Sequence, residues 1–212
     1  MFYLVNSPWI LKKMYPQCLW QVNTSDKKLY LTFDDGPHPE ITPWVLDVLE
    51  TYNAKGTFFC IGKNVDKYAS TFKSITDSGH ALGNHTYDHL NGWKSNDRQY
   101  LENISKAKSI IDSDLFRPPY GRITRFQLSQ LSGEAFKLKT VMWSVLSGDF
   151  DNMLSPDECY LNVSRNSGAG SIIVFHDSEK AYNKLKTVLP KVLEHFSSKG
   201  YTFELLRGTL VE

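Results

Sequence analysis

The chain has 212 residues, with 24 Lys and Arg against 23 Asp and Glu, and a formal net charge of +1. That balance gives no broad electrostatic footprint for nucleic acid or an anionic membrane, and it suits a neutral partner such as a glycan. No Pro-, Gly- or Ser-rich linker divides the chain and no apolar run is long enough to span a bilayer, while Cys18, Cys60 and Cys159 lack any CxxC pairing and read as buried apolar thiols.

Taken in chain order, Met1-Phe-Tyr-Leu-Val5 is stopped by Asn6-Ser7-Pro8 with no basic residue ahead of it, so it does not read as a signal peptide. A cytoplasmic or membrane-peripheral location is expected rather than export. Residues 1–27 are expected to be a segment packed on a main domain spanning 28–212. The aromatics Tyr3, Trp9, Tyr15 and Trp20, with Lys12 and Lys13, would also suit an interfacial anchor, although packing over one end of the domain is the simpler reading.

From residue 28 onward strand and helix patterns alternate. Strands are predicted at 28–33, 56–62, 80–86, 114–117, 138–145, 171–177 and 201–206. Between them, Val45, Val48, Leu49 and Tyr52 fall at helical spacing, with Thr42 as N-cap and Pro43 at the first helical position. Val65, Tyr68, Ala69 and Phe72 mark a second helix, and Tyr100, Ile104, Ala107 and Ile111 a third. A last one carries Leu185, Val188, Leu189, Val192, Leu193 and Phe196 before Gly200, and Pro190 inside it predicts a kink or a later start. Seven strands with helices between them indicate an α/β fold, either a (β/α) barrel, closed or slightly broken, or an open doubly wound sheet.

In both architectures the carboxyl ends of the strands form the active face. The chemistry-bearing residues fall there. Asp34 and Asp35 follow the first strand within Thr32-Phe33-Asp34-Asp35-Gly36-Pro37, and His85 and His89 end and follow the third. Arg117-Pro118-Pro119-Tyr120 follows the fourth strand, Asp149 the fifth, and His176-Asp177 ends the sixth. His-x-x-x-His would put two imidazoles on one side of a helical turn, and a carboxylate pair nearby supplies a further ligand with one to spare. That combination points to metal-assisted hydrolysis.

These strings resemble the ordered motifs of the NodB-homology polysaccharide deacetylases, carbohydrate esterase family four: TFDDGP, H-[ST]-x-x-H, R-x-P-Y, a D-x-x-D-W-like segment and L-x-H. The first two are complete at 32–37 and 85–89, Arg117 to Tyr120 matches the third, and Val174-Phe175-His176 carries the fifth with Val in the leucine position. The resemblance covers roughly residues 28–206 and implies a distorted (β/α) barrel of about seven parallel strands. It implies that Asp35, His85 and His89 hold a divalent metal, most naturally Zn2+, with Co2+ or Ni2+ able to take the same ligands. Asp34 would be the general base acting on water activated by that ion, and Arg117 would orient it. His176 would be the general acid. Pro119 and Tyr120 would line the substrate site, with the Tyr120 backbone N–H helping to stabilise an oxyanion.

The fourth motif departs from the pattern. Leu146 stands where the first aspartate is expected and Phe150 where the tryptophan is expected. In the family that aspartate tunes the acid histidine, so Asp149 or Asp151 is left to supply the charge, and Phe150 the aromatic wall for an acetyl methyl. The implied substrate is an acetylated carbohydrate, N-acetyl before O-acetyl. Two other readings compete: a glycan-binding module that has lost catalysis but kept the pocket, and a metal phosphoesterase. The latter would want more ligands for a second ion and a basic phosphate cradle.

Overall fold

The structure, a computed structural model, describes residues 4–208; Tyr3 lies outside them. The strands are β1 (Lys28–Asp34), β2 (Gly56–Cys60), β3 (Ala81–Asn84), β4 (Leu115–Phe116), β5 (Lys139–Thr140), β6 (Val145–Leu146), β7 (Ile172–His176) and β8 (Thr202–Phe203). The helices are α1 (Trp9–Met14), α2 (Ile41–Thr51), α3 (Gly62–Lys67), α4 (Ala69–Asp77), α5 (Asp97–Lys108), α6 (Arg125–Leu131), α7 (Pro156–Ser164) and α8 (Glu179–Ser197). Seven strands run in the order β5-β4-β3-β2-β1-β7-β6, every pair parallel, and β8 adds a short parallel pairing to the start of β1. The sheet is a curled half-barrel with helices around it, which decides between the two architectures that the strand and helix patterns allow in favour of the distorted barrel implied by the resemblance.

The period-2 alternation of β1 builds two cores. Leu29, Leu31 and Phe33 point outward and pack with Val45 and Leu49 of α2 and with Leu185, Val188, Leu189 and Val192 of α8. Tyr30 points inward and packs with Phe59, Leu115, Val141 and Ile172, joined by Leu19, Val22 and Leu206. β1 is therefore buried on both faces, as a central parallel strand must be, with Thr32 and Asp34 as the polar positions of its inner face.

Several local expectations are corrected. The strand foreseen at 138–145 is two short ones, because the backbone between them turns its carbonyls to other partners. Val141 O and Met142 O accept from the Arg117 side chain, and the seam between β5 and β6 is lined by the N-terminal segment. There Leu19 N donates to Thr140 O at 2.9 Å, Met142 N to Leu19 O at 2.8 Å, and Leu146 N to Val5 O at 2.8 Å. The second helix is two, α3 and α4, broken at Tyr68, whose ψ of 50° leaves the helical region. Thr42 lies inside α2 rather than capping it, and His38 Nδ1 instead accepts from Glu40 N and Ile41 N, both at 3.3 Å. α8 starts early and runs as one helix through Pro190. Burying six large apolar residues on one face is worth about 1.5–3 kcal/mol each, against about 3 kcal/mol for an interior proline.

Cys18, Cys60 and Cys159 are buried free thiols. No helix among the described residues is long and apolar enough to cross a membrane.

Tyr100 of α5 is fully buried, and its hydroxyl has no hydrogen-bond partner. Leaving such a group unpaired costs about 1–3 kcal/mol. Tyr100→Phe is therefore expected to leave stability unchanged or raise it by about 1 kcal/mol in denaturant unfolding; a loss of similar size would mean that the hydroxyl is satisfied.

Candidate metal centre and active site

The site is assembled at the carboxyl ends of β1, β3, β4 and β7. Asp34 closes β1 and pairs in register with His176 at the end of β7, so the two stand side by side at one height. Arg117, just past β4, is completely buried and reaches across the barrel interior. Its Nη1 donates to Asp34 Oδ1 and to Thr32 Oγ1, both at 2.7 Å. Its Nε and Nη2 donate to Val141 O at 3.3 Å and Met142 O at 2.9 Å, and its guanidinium lies 4.1 Å from the centre of the Phe59 ring. A cation so fully partnered fixes the position of the Asp34 carboxylate.

Asp35, next in sequence, turns the other way. Its φ of 79° swings the side chain from the barrel axis toward the loop after β3. There Asp35 Oδ1 lies 3.1 Å from His89 Nε2 and 3.7 Å from His85 Nε2. One ligand atom from each of Asp35, His85 and His89 falls within 4.8 Å of the others. Asp35 Oδ1 is buried yet makes no well-formed hydrogen bond, which is the condition of a ligand atom aimed at an ion. The His85 nitrogen of the donor set is also ready to coordinate. His85 Nδ1 faces the Arg117 carbonyl at 2.8 Å, so it carries the proton and leaves Nε2 free. Burial lowers the His85 pKa to about 4 and keeps the ring neutral. Burial opposes ionisation of Asp35, but His89, His176 and His85 outweigh it and hold the carboxyl well below its usual range. The residues present fit a divalent ion with two imidazoles and one carboxylate.

The two histidines are not on a helical turn, contrary to the spacing argument. Residues 85–89 are a loop in which Thr86 (φ 64°) and His89 (φ 57°) take left-handed backbone conformations. With Asp35 and Tyr120 (φ 60°), four of the six non-glycine residues of positive φ in the described chain cluster here. Each costs about 1–3 kcal/mol and persists because its surroundings enforce it. Asn64 Nδ2 holds Asp35 O at 2.8 Å, Asn84 Oδ1 accepts from Thr86 N at 2.8 Å, and Asn103 Oδ1 accepts from Tyr87 N and Asp88 N. Pro119 and Tyr120 form a tight turn over the site, where the Tyr120 ring meets His89 edge to face with centres 4.7 Å apart.

The carboxylate beside His176 is Asp149. Fully buried, it accepts from His176 N through Oδ2 and faces His176 Nδ1 through Oδ1, both at 2.8 Å. This grips backbone and ring together through N and Nδ1. Burial opposes the charged ring, but the charge and hydrogen bond of Asp149, with Asp35 and Asp34 behind it, raise the His176 pKa to about 9. Phe150 stands edge-on to the His176 ring with centres 5.1 Å apart. Leu146 itself is buried on β6, two positions short of His176 in the β7 register.

One carboxylate that the sequence places at the active face, without a role, belongs to the site. Asp177 is buried, accepts from Gly36 N at 3.1 Å and Thr42 Oγ1 at 2.5 Å, and so ties the Asp34-Asp35 loop to α2. Burial raises its pKa to about 8. A Cβ on Gly36 would lie 2.1 Å from Asp177 Oδ2, which explains the glycine at that position. The only hint in the sequence was its place directly after His176. Asp177→Ala leaves the Gly36 N–H and Thr42 hydroxyl unpaired and is expected to cost about 1–3 kcal/mol, whereas Asp177→Asn keeps an acceptor for Gly36 and should cost clearly less. Equal losses in urea unfolding would show that Asp177 does not act through those hydrogen bonds.

Comparison with known proteins agrees with this geometry. Residues 21–132 match the polysaccharide deacetylase family. A peptidoglycan-N-acetylglucosamine deacetylase of Bacillus cereus is 37% identical over 183 residues, 83% of this chain and 66% of that protein. The solved structure of the Bc1960 peptidoglycan N-acetylglucosamine deacetylase superposes with a TM-score of 0.86 at 33% identity, covering 94% of this chain and 95% of the other. The fold alone is shared with a Bacillus anthracis protein described as a CE4 family pseudoenzyme, at a TM-score of 0.76 and 23% identity, so fold does not stand in for turnover. With the TFDDGP, HTYDH and RPPY strings converging on one face, the chain belongs to the polysaccharide deacetylases, carbohydrate esterase family four.

Proposed function

We propose that this chain is a metal-dependent hydrolase that removes acetyl groups from a carbohydrate, N-acetyl in preference to O-acetyl. The observation that carries the reading is the division of labour between two adjacent aspartates: Asp34 is held on Arg117 while Asp35 faces two imidazoles. The ion held by Asp35, His85 and His89, zinc by preference for this donor set, supplies Lewis acidity and lowers the pKa of water toward about 7. Asp34, kept in place by Arg117, accepts the proton that water gives up as its oxygen joins the acyl carbon. His176 delivers a proton to the nitrogen as the carbon–nitrogen bond breaks, so an amide and water become acetate and an amine. An amine leaves only when protonated, and the Asp149 carboxylate keeps the ring charged for that step. Phe150 and the turn at Pro119 and Tyr120 bound the space for the acetyl group.

The named substrate of the relatives, N-acetylglucosamine in peptidoglycan, is the first candidate here. A buried carboxylate held on His176 supports turnover over an inactive glycan-binding module, which needs no charged acid.

Asp34→Asn is expected to retain metal and lose turnover by about 100-fold or more, while Asp35→Asn should lose the metal itself. Elemental analysis beside acetate release separates the two. Metal loss in Asp34→Asn with retention in Asp35→Asn would exchange their roles.

The pH profile offers a second check. A general acid works only while protonated, and Asp149 raises the pKa of His176, so activity should persist into alkaline pH. Asp149→Asn removes that charge, His176 loses its proton earlier, and the alkaline limb should move to lower pH. An unmoved limb in folded, metal-loaded Asp149→Asn would remove Asp149 from the mechanism.

A further inference from the structure

The outer surface is uneven in one place. Nine large apolar side chains are exposed among the described residues, and five of them, Leu4, Trp9, Ile10, Leu11 and Met14, lie within residues 4–14. Trp9 is 69% exposed, and α1 buries none of its residues. The segment that lines the barrel seam therefore presents an apolar helix outward instead of folding it in. Leu4, Leu11 and Met14 continue into an apolar groove of about 490 Å³ that also holds Trp93, 58% exposed, and Trp143. Single exposed apolar residues are ordinary, but a contiguous patch of this kind marks an interaction surface.

Its surroundings are basic. Lys12 and Lys13 sit in the last turn of α1, and Lys12 shares an adjoining surface cavity with Lys137 and Lys139. Arg122 stacks on Trp93 at 4.2 Å, and Arg125 faces Tyr15 at 5.8 Å. Glu134 pairs with Lys137 at 2.8 Å, yet neither cavity is lined by any Asp or Glu. The net charge of +1 for the whole chain makes this a local excess.

We infer that this face seats the protein on an anionic phospholipid surface. Trp9, Ile10 and Met14 enter the boundary between headgroups and acyl chains, and Lys12, Lys13 and Arg122 meet the phosphates. Aliphatic side chains without donors or acceptors suit hydrocarbon better than an anionic glycan. A second copy docking through the same patch would bring two basic rims together. Gly121 lines the groove and Tyr120 beside it packs on His89, so docking here holds the metal centre next to the membrane.

The test needs no turnover and does not depend on the proposed activity. The full chain is mixed with phosphatidylglycerol/phosphatidylethanolamine vesicles or with phosphatidylcholine vesicles and sedimented. Binding is expected with the first, to fall as salt is raised, and to be weak with the second. Lys12→Glu with Lys13→Glu should reduce partitioning by about tenfold or more, and Trp9→Ser with Met14→Ser should reduce it comparably while circular dichroism stays unchanged. Because Trp9 is already in solvent, Trp9→Phe serves as a second, conservative variant: the blue shift of tryptophan emission on vesicle addition should diminish with binding retained. No sedimentation with anionic vesicles, or binding untouched by these substitutions, would overturn the inference. So would concentration-dependent self-association abolished by Trp9→Ser without lipid binding, which would make the occupant a second copy.

Discussion

A buried arginine sets the plan of the active half of this molecule. Arg117 has no exposed surface, and a guanidinium in the interior is tolerated only with nearly every donor engaged, since an unpaired buried ion costs several kcal/mol. Its demands reach across the barrel to Asp34 and Thr32 on β1 and to the carbonyls of Val141 and Met142. The last two explain why residues 138–145 do not continue as one strand. The carbonyls point to Arg117, β5 and β6 part, and residues 5 and 19 pair with the edges left along the seam. One side chain thus links the position of Asp34, the open barrel and the placement of the N-terminal segment.

With Asp34 held in this way, the rest of the site depends on turning its neighbour aside. A positive φ at Asp35 separates two adjacent carboxylates into different environments, and the strain is met by a hydrogen bond from Asn64 and by Asp177 under Gly36. Across the site, Asp149 takes both the backbone N–H and the ring of His176, so a single buried carboxylate positions that ring and raises its pKa. The electrostatics divide accordingly. Burial lowers the His85 pKa to about 4, while carboxylates raise that of His176 to about 9.

Much of this was legible in the sequence because it rests on local signals. Period-2 runs mark β1, β2 and β7, spacing of three and four marks α8, and the short strings single out side chains that the structure brings to one face. Three features were not legible, each for a nonlocal reason. His85 and His89 look helical by spacing, but spacing carries no information on φ, and the loop conformation is enforced by Asn84 and Asn103 from other elements. Thr42 looks like a cap, yet Asp177, 135 residues away, claims its hydroxyl. The apolar run at 138–145 looks like a strand until the needs of Arg117 are known. The sequence left Asp149 and Asp151 as alternatives beside His176, and only the fold shows that Asp149 is the one on its ring.

The central claim is that one ion, held by Asp35, His85 and His89, works beside a base that Arg117 holds apart from it. Titrating metal-stripped protein with zinc, while measuring both bound metal and acetate released from N-acetylglucosamine oligomers, tests it most directly. Turnover should be absent at the start, rise in proportion to metal bound and level off at one ion per chain. Undiminished turnover in protein shown to be free of metal would contradict it.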